Sequence, residues 1–247
     1  MGDLRRPRGA ALTARLAGQR VLVTGAGGGI GGAVARRCAE EGARVTGCDL
    51  AGAELVCDIA EERQVEELVA THGPFDAVVH AAALLGGSGR FPDVATEAFD
   101  RYIHVNLRGA FLVARAAAKA MIAHGIKGRL VMIGSVNSLV AEPEAAPYVA
   151  AKTGLLGLVR AMAVDLGVHG ITANLIAPGP ILVERNRALF ESEPLRGGLA
   201  RAVPLGGPGE PEAVAEAALY LVDPRTRFVT GATLAVDGGI TACLRQT

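Results

Sequence analysis

Short, continuously apolar runs alternate with longer helical patterns along this chain of 247 residues. Such runs are typical of strands that are buried on both faces, and the intervening helices supply the crossovers that parallel strands need. The pattern predicts a single α/β domain built on a doubly wound parallel sheet of about seven strands, with helices on both faces. The predicted strands are 21–23, 44–49, 54–57, 76–80, 128–134, 171–177 and 233–236. The predicted helices are 32–41, 61–72, 97–124 with a bend near Gly109, 147–168 and 211–222.

A glycine-rich turn follows the first predicted strand. It reads TGAGGGIG from Thr24 to Gly31 and leads into the first predicted helix. Glycines here let the backbone approach a dinucleotide pyrophosphate, and the N-terminus of the helix then faces the negative charge. The turn therefore predicts a dinucleotide site that includes Gly25, Gly28, Gly29, Ile30 and Gly31.

Asp49 ends the second predicted strand, 18 residues after Gly31. A carboxylate in this place accepts hydrogen bonds from the adenosine ribose and repels a 2′-phosphate. The glycine turn contains no Lys or Arg to offset that repulsion, so the sequence favours NAD over NADP. Asp58, with Ile59 beside it, is a candidate for the adenine amino group. The alternative interpretation of Asp58 is the N-cap of the next helix.

Three residues later in the chain carry proton-transfer chemistry. Lys152 lies four residues after Tyr148, so on a helix both side chains share one face. A lysine ammonium near a phenol favours the phenolate and lowers the tyrosine pKa. Ser135 follows an apolar strand and can present its hydroxyl to the same substrate oxygen, whereas Ser138 lies beyond the strand end. Together with the glycine turn, these residues suggest a nicotinamide oxidoreductase.

Composition excludes several other classes of function. The 25 basic and 25 acidic residues balance, which gives no electrostatic reason to expect nucleic acid or an anionic membrane as a partner. No apolar run is long enough to span a bilayer. The four cysteines show no metal-ligand spacing, so we expect no metal, and reduced thiols indicate a cytoplasmic protein.

Two segments differ from the regular α/β pattern. Residues 1–17, rich in arginine, are expected to form a flexible N-terminal tail before the domain of residues 18–247. The proline-rich stretch at about 180–208 follows a strand end, where open α/β sheets bind ligands, and is expected to be a substrate lid. Glu142 and Glu144 are candidates for contact with a polyol or cationic substrate, or are simply solvated.

These motifs together resemble the short-chain dehydrogenase/reductase family, over residues 21–239. The glycine turn resembles the family's TGxxxGxG motif, and Asn106 in NLRG resembles its active-site asparagine. Ser135 aligns with its catalytic serine, and Tyr148 with Lys152 matches its YxxxK pair. Pro178-Gly179 resembles the turn below the nicotinamide, and VDGG at 236–239 its C-terminal motif.

The resemblance implies a Rossmann-like sheet, a dimer or tetramer, and specific roles for these residues. Tyr148 would be the general acid/base, and Ser135 would polarise the substrate oxygen. Lys152 would bind the nicotinamide ribose and lower the Tyr148 pKa, and Asn106 would hold a water of the proton relay. Pro178, Gly179 and Ile181 would contact the cofactor.

The chain departs from the family pattern in two places. The family often has Asn-Asn-Ala-Gly where this chain has His80-Ala81-Ala82-Ala83. Ala81 and Ala82 still allow backbone approach to the cofactor ribose, and His80 is interpreted as a structural replacement. Val183 stands where a threonine commonly meets the nicotinamide carboxamide, so only backbone N–H groups are expected to fix that amide.

The resulting hypothesis is an NAD-dependent alcohol dehydrogenase or carbonyl reductase acting on a secondary alcohol or ketone. Expected partners are this small molecule and further copies of the chain, as a homotetramer or a dimer. One alternative is an NADPH-dependent ketoreductase of 3-oxoacyl type. The other is a nucleotide-sensing protein on the same scaffold that has lost turnover.

Overall fold

A parallel sheet of seven strands forms the centre of the molecule, in the order β3-β2-β1-β4-β5-β6-β7. The computed structural model describes residues 14–193 and 195–243. Every neighbouring pair of strands is parallel; Leu22 of β1, for example, faces Thr46 of β2 and Val78 of β4. The strands are β1 Arg20–Thr24, β2 Arg44–Asp49, β3 Leu55–Val56, β4 Ala77–His80, β5 Arg129–Ile133, β6 Thr172–Pro178 and β7 Thr233–Val236. The predicted fold class is confirmed.

Helices cover both faces of this sheet. They are α1 Gly29–Glu40, α2 Glu62–His72, α3 Thr96–Tyr102, α4 Ala110–Ala123, α5 Ala146–Leu166, α6 Arg187–Glu191, α7 Leu195–Ala202 and α8 Pro211–Val222. Side chains alternate between two cores because successive residues of a strand point to opposite faces. Leu22 packs with α2, α4 and α5, whereas Val21 and Val23 pack with α1 and α8. Burial on both faces is why the central strands β4 and β5, which are buried at every residue, are mostly apolar.

The long helical stretch predicted from residue 97 onward is interrupted. Between α3 and α4 the chain forms a π-helical stretch, Ile103–Gly109. It ends at the residue where the bend is predicted, and a Cβ atom there would collide with the side chain of Ile59. The missing side chain of Gly109 therefore lets this helix approach the loop before α2.

The structure corrects two predicted boundaries. α1 begins at Gly29 rather than at residue 32, because the last part of the glycine turn already forms its first turn. Residues 14–17 were predicted to belong to the flexible tail, but Leu16 is fully buried and Arg15 pairs with Asp223. Residues 1–13, the rest of that tail, lie outside the described residues. Within the described residues, no helix is long and apolar enough to cross a membrane.

Candidate active site

A cavity of about 350 Å³ opens at the carboxyl ends of the parallel strands. Asp49 ends β2, Ala81 follows β4, Gly134 follows β5 and Pro178 ends β6, and all four residues line it. β1 and β4 are neighbours at the centre of the sheet, where the strand order changes direction and open α/β sheets bind ligands.

Most of the predicted site residues meet in this cavity. It is lined by Gly25, Gly28, Gly29, Ile30, Gly31, Asp49, Ala81, Ala82, Ser135, Tyr148, Lys152, Pro178, Gly179, Ile181 and Val183. Asp58, Ile59 and Asn106 are the predicted site residues that do not line it. The topology thus joins the glycine turn to the three proton-transfer residues.

The glycine turn packs too closely for side chains. Gly25 has a φ of +74°, and a Cβ atom on it would lie 2.5 Å from the backbone nitrogen of Ala82. A Cβ atom on Gly31 would collide with the carbonyl oxygen of Gly25. α1 begins at Gly29, and its N-cap residue Gly28 makes no side-chain capping bond. The first N–H groups of α1 are thus available to an anion such as a pyrophosphate.

Asp49 lies directly beside this turn. Its Oδ2 accepts a hydrogen bond from the Gly27 N–H (3.1 Å), and its Oδ1 accepts one from the Leu50 N–H (2.7 Å). These bonds hold the carboxylate at the cavity wall, next to the turn predicted to bind the pyrophosphate.

Asp58 and Ile59 serve the loop before α2. Asp58 Oδ1 accepts from the Ala60 N–H (2.9 Å), and the Asp58 N–H donates to Gln64 Oε1 (2.9 Å). Ile59 is buried and packs at Gly109. The N-cap of α2 is Glu61, without a side-chain capping bond, so the capping interpretation of Asp58 is wrong; its carboxylate instead closes a turn inside the loop. The contact of Asp58 with adenine stays a prediction.

Ser135, Tyr148 and Lys152 form one wall of the cavity. Ser135 Oγ accepts from the Asn137 N–H (3.1 Å), which leaves its own hydrogen for a ligand oxygen. Lys152 is buried; its Nζ donates to the Ile133 carbonyl oxygen (2.9 Å) and lies 5.8 Å from the centroid of the Tyr148 ring. An acid/base phenol, a hydroxyl donor and a cation therefore share one wall.

The protonation of Tyr148 differs from the prediction. Burial raises the pKa of Tyr148, and this effect outweighs the lowering by the Ser135 hydroxyl and by the charge of Arg185. The expected lowering by Lys152 does not prevail; its Nζ donates to the Ile133 carbonyl oxygen. Burial lowers the pKa of Lys152 itself to about 8. The phenol form of Tyr148 is therefore the resting form at neutral pH.

Asn106 and Tyr102 hold the segment that follows β4. Asn106 is fully buried in the π-helical stretch; its Oδ1 accepts from the Leu84 N–H (2.7 Å), and its Nδ2 donates to the Leu84 carbonyl (2.9 Å). Tyr102, one turn earlier, donates its hydroxyl to the Gly86 carbonyl (2.8 Å). Both side chains thus fix a segment that contributes to the cavity wall. The relay water expected for Asn106 stays a prediction.

His80 lies beneath the loop formed by Ala81 and Ala82. It is buried, and its Nδ1 lies 2.9 Å from the Thr24 hydroxyl, which also accepts from the Ala82 N–H (3.4 Å). Burial and, secondarily, the charge of Lys152 lower the pKa of His80 to about 3, so the imidazole is neutral. These contacts support the structural role proposed for His80.

Gly179 allows the chain after β6 to approach the C-terminal segment. A Cβ atom on Gly179 would lie 2.8 Å from the Cα atom of Asp237, and the Gly179 N–H donates to the Val236 carbonyl (3.0 Å). The two segments that resemble family motifs, Pro178-Gly179 and VDGG, are thus in direct contact.

Val183 packs against Gly29, and its own N–H donates to Asn186 Oδ1 (2.8 Å). The expectation that backbone N–H groups hold a carboxamide here therefore does not extend to this N–H, which already has an acceptor. Ile181 has no such bond: in the part of the chain that the structure describes, its N–H makes no hydrogen bond. It is the remaining donor of this segment.

Sequence reasoning missed several residues of the cavity wall. They are Ala83, Leu85, Ile133, Gly134, Pro180, Arg185, Asn186 and Phe190. Of these, Pro180, Arg185, Asn186 and Phe190 belong to the segment predicted as a lid. Their positions after strand ends were a signal, but which side chains face the cavity depends on the fold.

The residues present fit a nicotinamide dinucleotide. The glycine turn is a cradle that any side chain would fill, and the helix N-terminus behind it is uncapped. Asp49 lines the cavity as an acceptor for ribose hydroxyls, and the wall that carries Tyr148 accommodates the reacting end.

Known proteins share this architecture along nearly the whole chain. The family model described as enoyl-(acyl carrier protein) reductase matches residues 25–241. The 2,5-dichloro-2,5-cyclohexadiene-1,4-diol dehydrogenase of Sphingobium indicum is 35% identical, over 92% of this chain and 98% of the relative. The L-xylulose reductase of Homo sapiens is 36% identical, with the same two coverages.

A solved structure agrees closely with the fold. The gluconate 5-dehydrogenase from Burkholderia cenocepacia, in complex with NADP and tartrate, superposes with a TM-score of 0.88 at 35% identity. The match covers 95% of this chain and 100% of that one. With a family model and relatives of this similarity matching almost end to end, this chain belongs to the short-chain dehydrogenase/reductase family.

Proposed function

We propose that this protein transfers a hydride between NAD(H) and a secondary alcohol or its ketone, with Tyr148 as the general acid/base. Its relatives support the coarser activity, since they are named dehydrogenases and reductases and a similar solved structure holds NADP. One observation supports the specific proposal: a single cavity is lined both by the glycine cradle and by Ser135, Tyr148 and Lys152.

Each residue has a task that its contacts allow. In ketone reduction the Tyr148 phenol gives its proton to the substrate oxygen, and in alcohol oxidation its phenolate takes the hydroxyl proton. The Ser135 hydroxyl donates a hydrogen bond to the same oxygen. Lys152 keeps N–H donors beyond its bond to Ile133, and these would bind the nicotinamide ribose. The dinucleotide, when bound, supplies or accepts the hydride.

The preference for NAD rests on Asp49. Its carboxylate is held at the cavity by the Gly27 and Leu50 N–H groups, so a 2′-phosphate placed there would meet a fixed negative charge. Some structural neighbours contain NADP, including the gluconate 5-dehydrogenase. We therefore attribute the choice between NAD and NADP in this chain to Asp49.

The proposal is tested by following cofactor reduction with a panel of secondary alcohols, polyols and hydroxyacyl thioesters, with NAD and with NADP. We expect turnover with NAD, and a decrease of at least about a hundredfold in kcat for Tyr148→Phe. Tyr220→Phe is the matched control, because Tyr220 is half-exposed on α8. Higher activity with NADP on hydroxyacyl thioesters would favour the ketoreductase alternative, and nucleotide binding without any turnover would favour the sensor.

The enzyme is further proposed to act as a cytoplasmic homo-oligomer on a small molecule. Assembly is supported by exposed apolar side chains on two long helices that cover the same face of the sheet. They are Phe111 and Ile122 on α4 and Val164 on α5. Support for the compartment comes from the four cysteines, all of which are free thiols. Light scattering of the purified protein would distinguish a dimer from a tetramer.

A further inference from the structure

Two features of the active site are unexplained by the roles assigned above. The first is a charged side chain in the predicted lid. Arg185 lies in the short turn Glu184–Asn186 before α6 and lines the same cavity as Ser135 and Tyr148. Among the described residues it makes no ion pair, in contrast to its neighbour Arg187, which pairs with Glu184 and Glu191.

The charge of Arg185 acts on Tyr148, the proposed acid/base residue. Arg185 is near enough to Tyr148 that its charge lowers the pKa of that residue. Glu142 opposes it from the segment before α5, but Glu142 does not line the cavity, and Glu144 pairs with Arg90 (3.8 Å). The other charged groups of the wall already have partners: Asp49 accepts from backbone N–H groups, and Lys152 donates to Ile133.

Arg185 is exposed at the cavity, and two apolar residues, Leu85 and Phe190, line the same cavity. A guanidinium without a carboxylate partner at the edge of a partly apolar site matches an anionic ligand group, most closely a carboxylate, which it can bind through two parallel hydrogen bonds.

From this arrangement, and on the basis of the function proposed above, we propose that the substrate is a hydroxy acid: a secondary alcohol whose carboxylate binds Arg185 while its hydroxyl lies at Tyr148 and Ser135. The reacting carbon and the carboxylate of such a substrate would both lie on the same side of the bound nicotinamide ring. The cofactor pyrophosphate is the other anion within reach of the lid, and the experiment distinguishes the two.

The test compares matched substrates that differ in charge: 3-hydroxybutyrate with 3-hydroxybutyramide, and gluconate with sorbitol. We expect kcat/KM to be about tenfold or more higher for the acid of at least one pair. Arg185→Gln should abolish that ratio, Arg185→Lys should retain part of it, and Arg187→Gln should leave it unchanged. The KM for NAD should stay the same in all variants.

Three results would overturn the carboxylate assignment: preference for the uncharged members, equal loss of both members in Arg185→Gln, or a change confined to the KM for the nucleotide. The last would assign Arg185 to the pyrophosphate. In each case turnover of an uncharged alcohol leaves the proposed function intact. Turnover of no alcohol in the panel would instead reject the proposed function itself, and the hydroxy acid with it.

The second feature is the pair of tyrosines at the catalytic wall. Tyr102 is buried, donates its hydroxyl to the Gly86 carbonyl (2.8 Å), and meets the Tyr148 ring edge-on, with centroids 6.3 Å apart and an angle of 78°. Gly86 has a φ of +128°, a conformation that suits glycine. Tyr102 therefore joins the segment after β4 to the catalytic tyrosine.

We infer that Tyr102 is a positioning residue that couples the placement of the segment 84–86 to the orientation of Tyr148. The ring restricts Tyr148 from the side, and the hydroxyl fixes the segment that includes the wall residue Leu85. Neither contact involves reacting atoms. Loss of the hydroxyl contact should affect substrate binding, because it releases the segment 84–86, whereas loss of the ring contact should affect catalysis, because it releases Tyr148.

Two variants separate these contacts. Tyr102→Phe keeps the ring and should raise the substrate KM about fivefold with little change in kcat, as the loss of one hydrogen bond predicts. Tyr102→Leu also removes the ring and should lower kcat. It should also shift the acidic limb of the pH profile for alcohol oxidation to lower pH, because water then reaches Tyr148. Glu142, Arg185 and Lys152 are the other charged groups near that phenol and remain in both variants.

Tyr220→Phe serves as the control and should match the wild type in every parameter. Wild-type KM in Tyr102→Phe, or a wild-type pH profile in a folded Tyr102→Leu, would overturn the inference. Equal losses in kcat and KM accompanied by a lower melting temperature in Tyr102→Phe would show a general structural role instead.

Discussion

Replacing Lys152 with methionine should stabilise the protein while abolishing its activity. Lys152 is 2% exposed, and burial lowers its pKa from 10.5 to about 8. At pH 7 the side chain is charged in both the folded and the unfolded state, so the folded state carries the cost of burying the charge. That shift in pKa corresponds to a cost of about 3 kcal/mol.

The net gain is smaller than this cost. Lys152→Met also removes the hydrogen bond from Nζ to the Ile133 carbonyl, which is worth about 1 kcal/mol. We therefore expect a gain of about 2 kcal/mol in the free energy of unfolding at pH 7, or about 4–8 °C in Tm for a chain of this size.

The sign of the pH dependence provides the sharper test. Above pH 8 the folded wild type releases the Lys152 proton while the unfolded chain keeps it up to about pH 10.5, so the wild type gains stability as pH rises. The advantage of Lys152→Met should be complete below pH 8 and vanish by about pH 10. Urea denaturation without nucleotide at pH 7, 8.5 and 10 measures it, with Lys119→Met, at an exposed site on α4, as the control. A variant less stable than the wild type at pH 7, or a difference that does not vary with pH, would refute the reasoning.

Four further predictions concern the same site. Because the pKa of His80 falls from 6.5 to about 3 on folding, the wild type should lose about 1.4 kcal/mol of stability per pH unit through this group as pH falls below 6.5, and acid titrations of His80→Asn should lack that contribution. Because the pKa of Tyr148 is raised, alcohol oxidation should accelerate as pH rises toward 10 while ketone reduction does not; initial rates that are independent of pH would contradict this. Asp49→Ala should shift the ratio of kcat/KM for NAD and NADP toward NADP, and an unchanged ratio would remove the basis for the NAD preference. Gly31→Ala, whose Cβ would collide with the Gly25 carbonyl, should cost about 1–3 kcal/mol of stability and weaken nucleotide binding in calorimetric titrations.

The sheet and most of the site could be anticipated because their signals are local. β4 and β5 lie within one residue of their predicted bounds, because they are buried at every position and their apolar composition reflects that burial. β2 and β7 also run over the predicted residues, although they are only partly buried. Tyr148 and Lys152 share a face by helical spacing alone. The tail boundary failed because the burial of Leu16 depends on a surface formed by elements far away in the chain.

The electrostatic predictions failed for a related reason. A cation four residues from a phenol suggests a lowered tyrosine pKa, but the direction of the Lys152 Nζ toward Ile133 and the burial of both groups are results of packing. Likewise, backbone N–H groups near Val183 were expected to fix the carboxamide, and only the folded segment shows that Asn186 already accepts from the N–H of Val183.

The sequence by itself determined the order of strands and helices, the glycine turn and the residues able to transfer a proton, because these follow from residue type and spacing. Only the tertiary structure decided which of them share a cavity, which polar groups already have partners, and how far burial shifts their protonation. Each of those properties depends on atoms from distant parts of the chain. Asp49, Tyr148 and Arg185, for example, are far apart in the sequence but line one cavity.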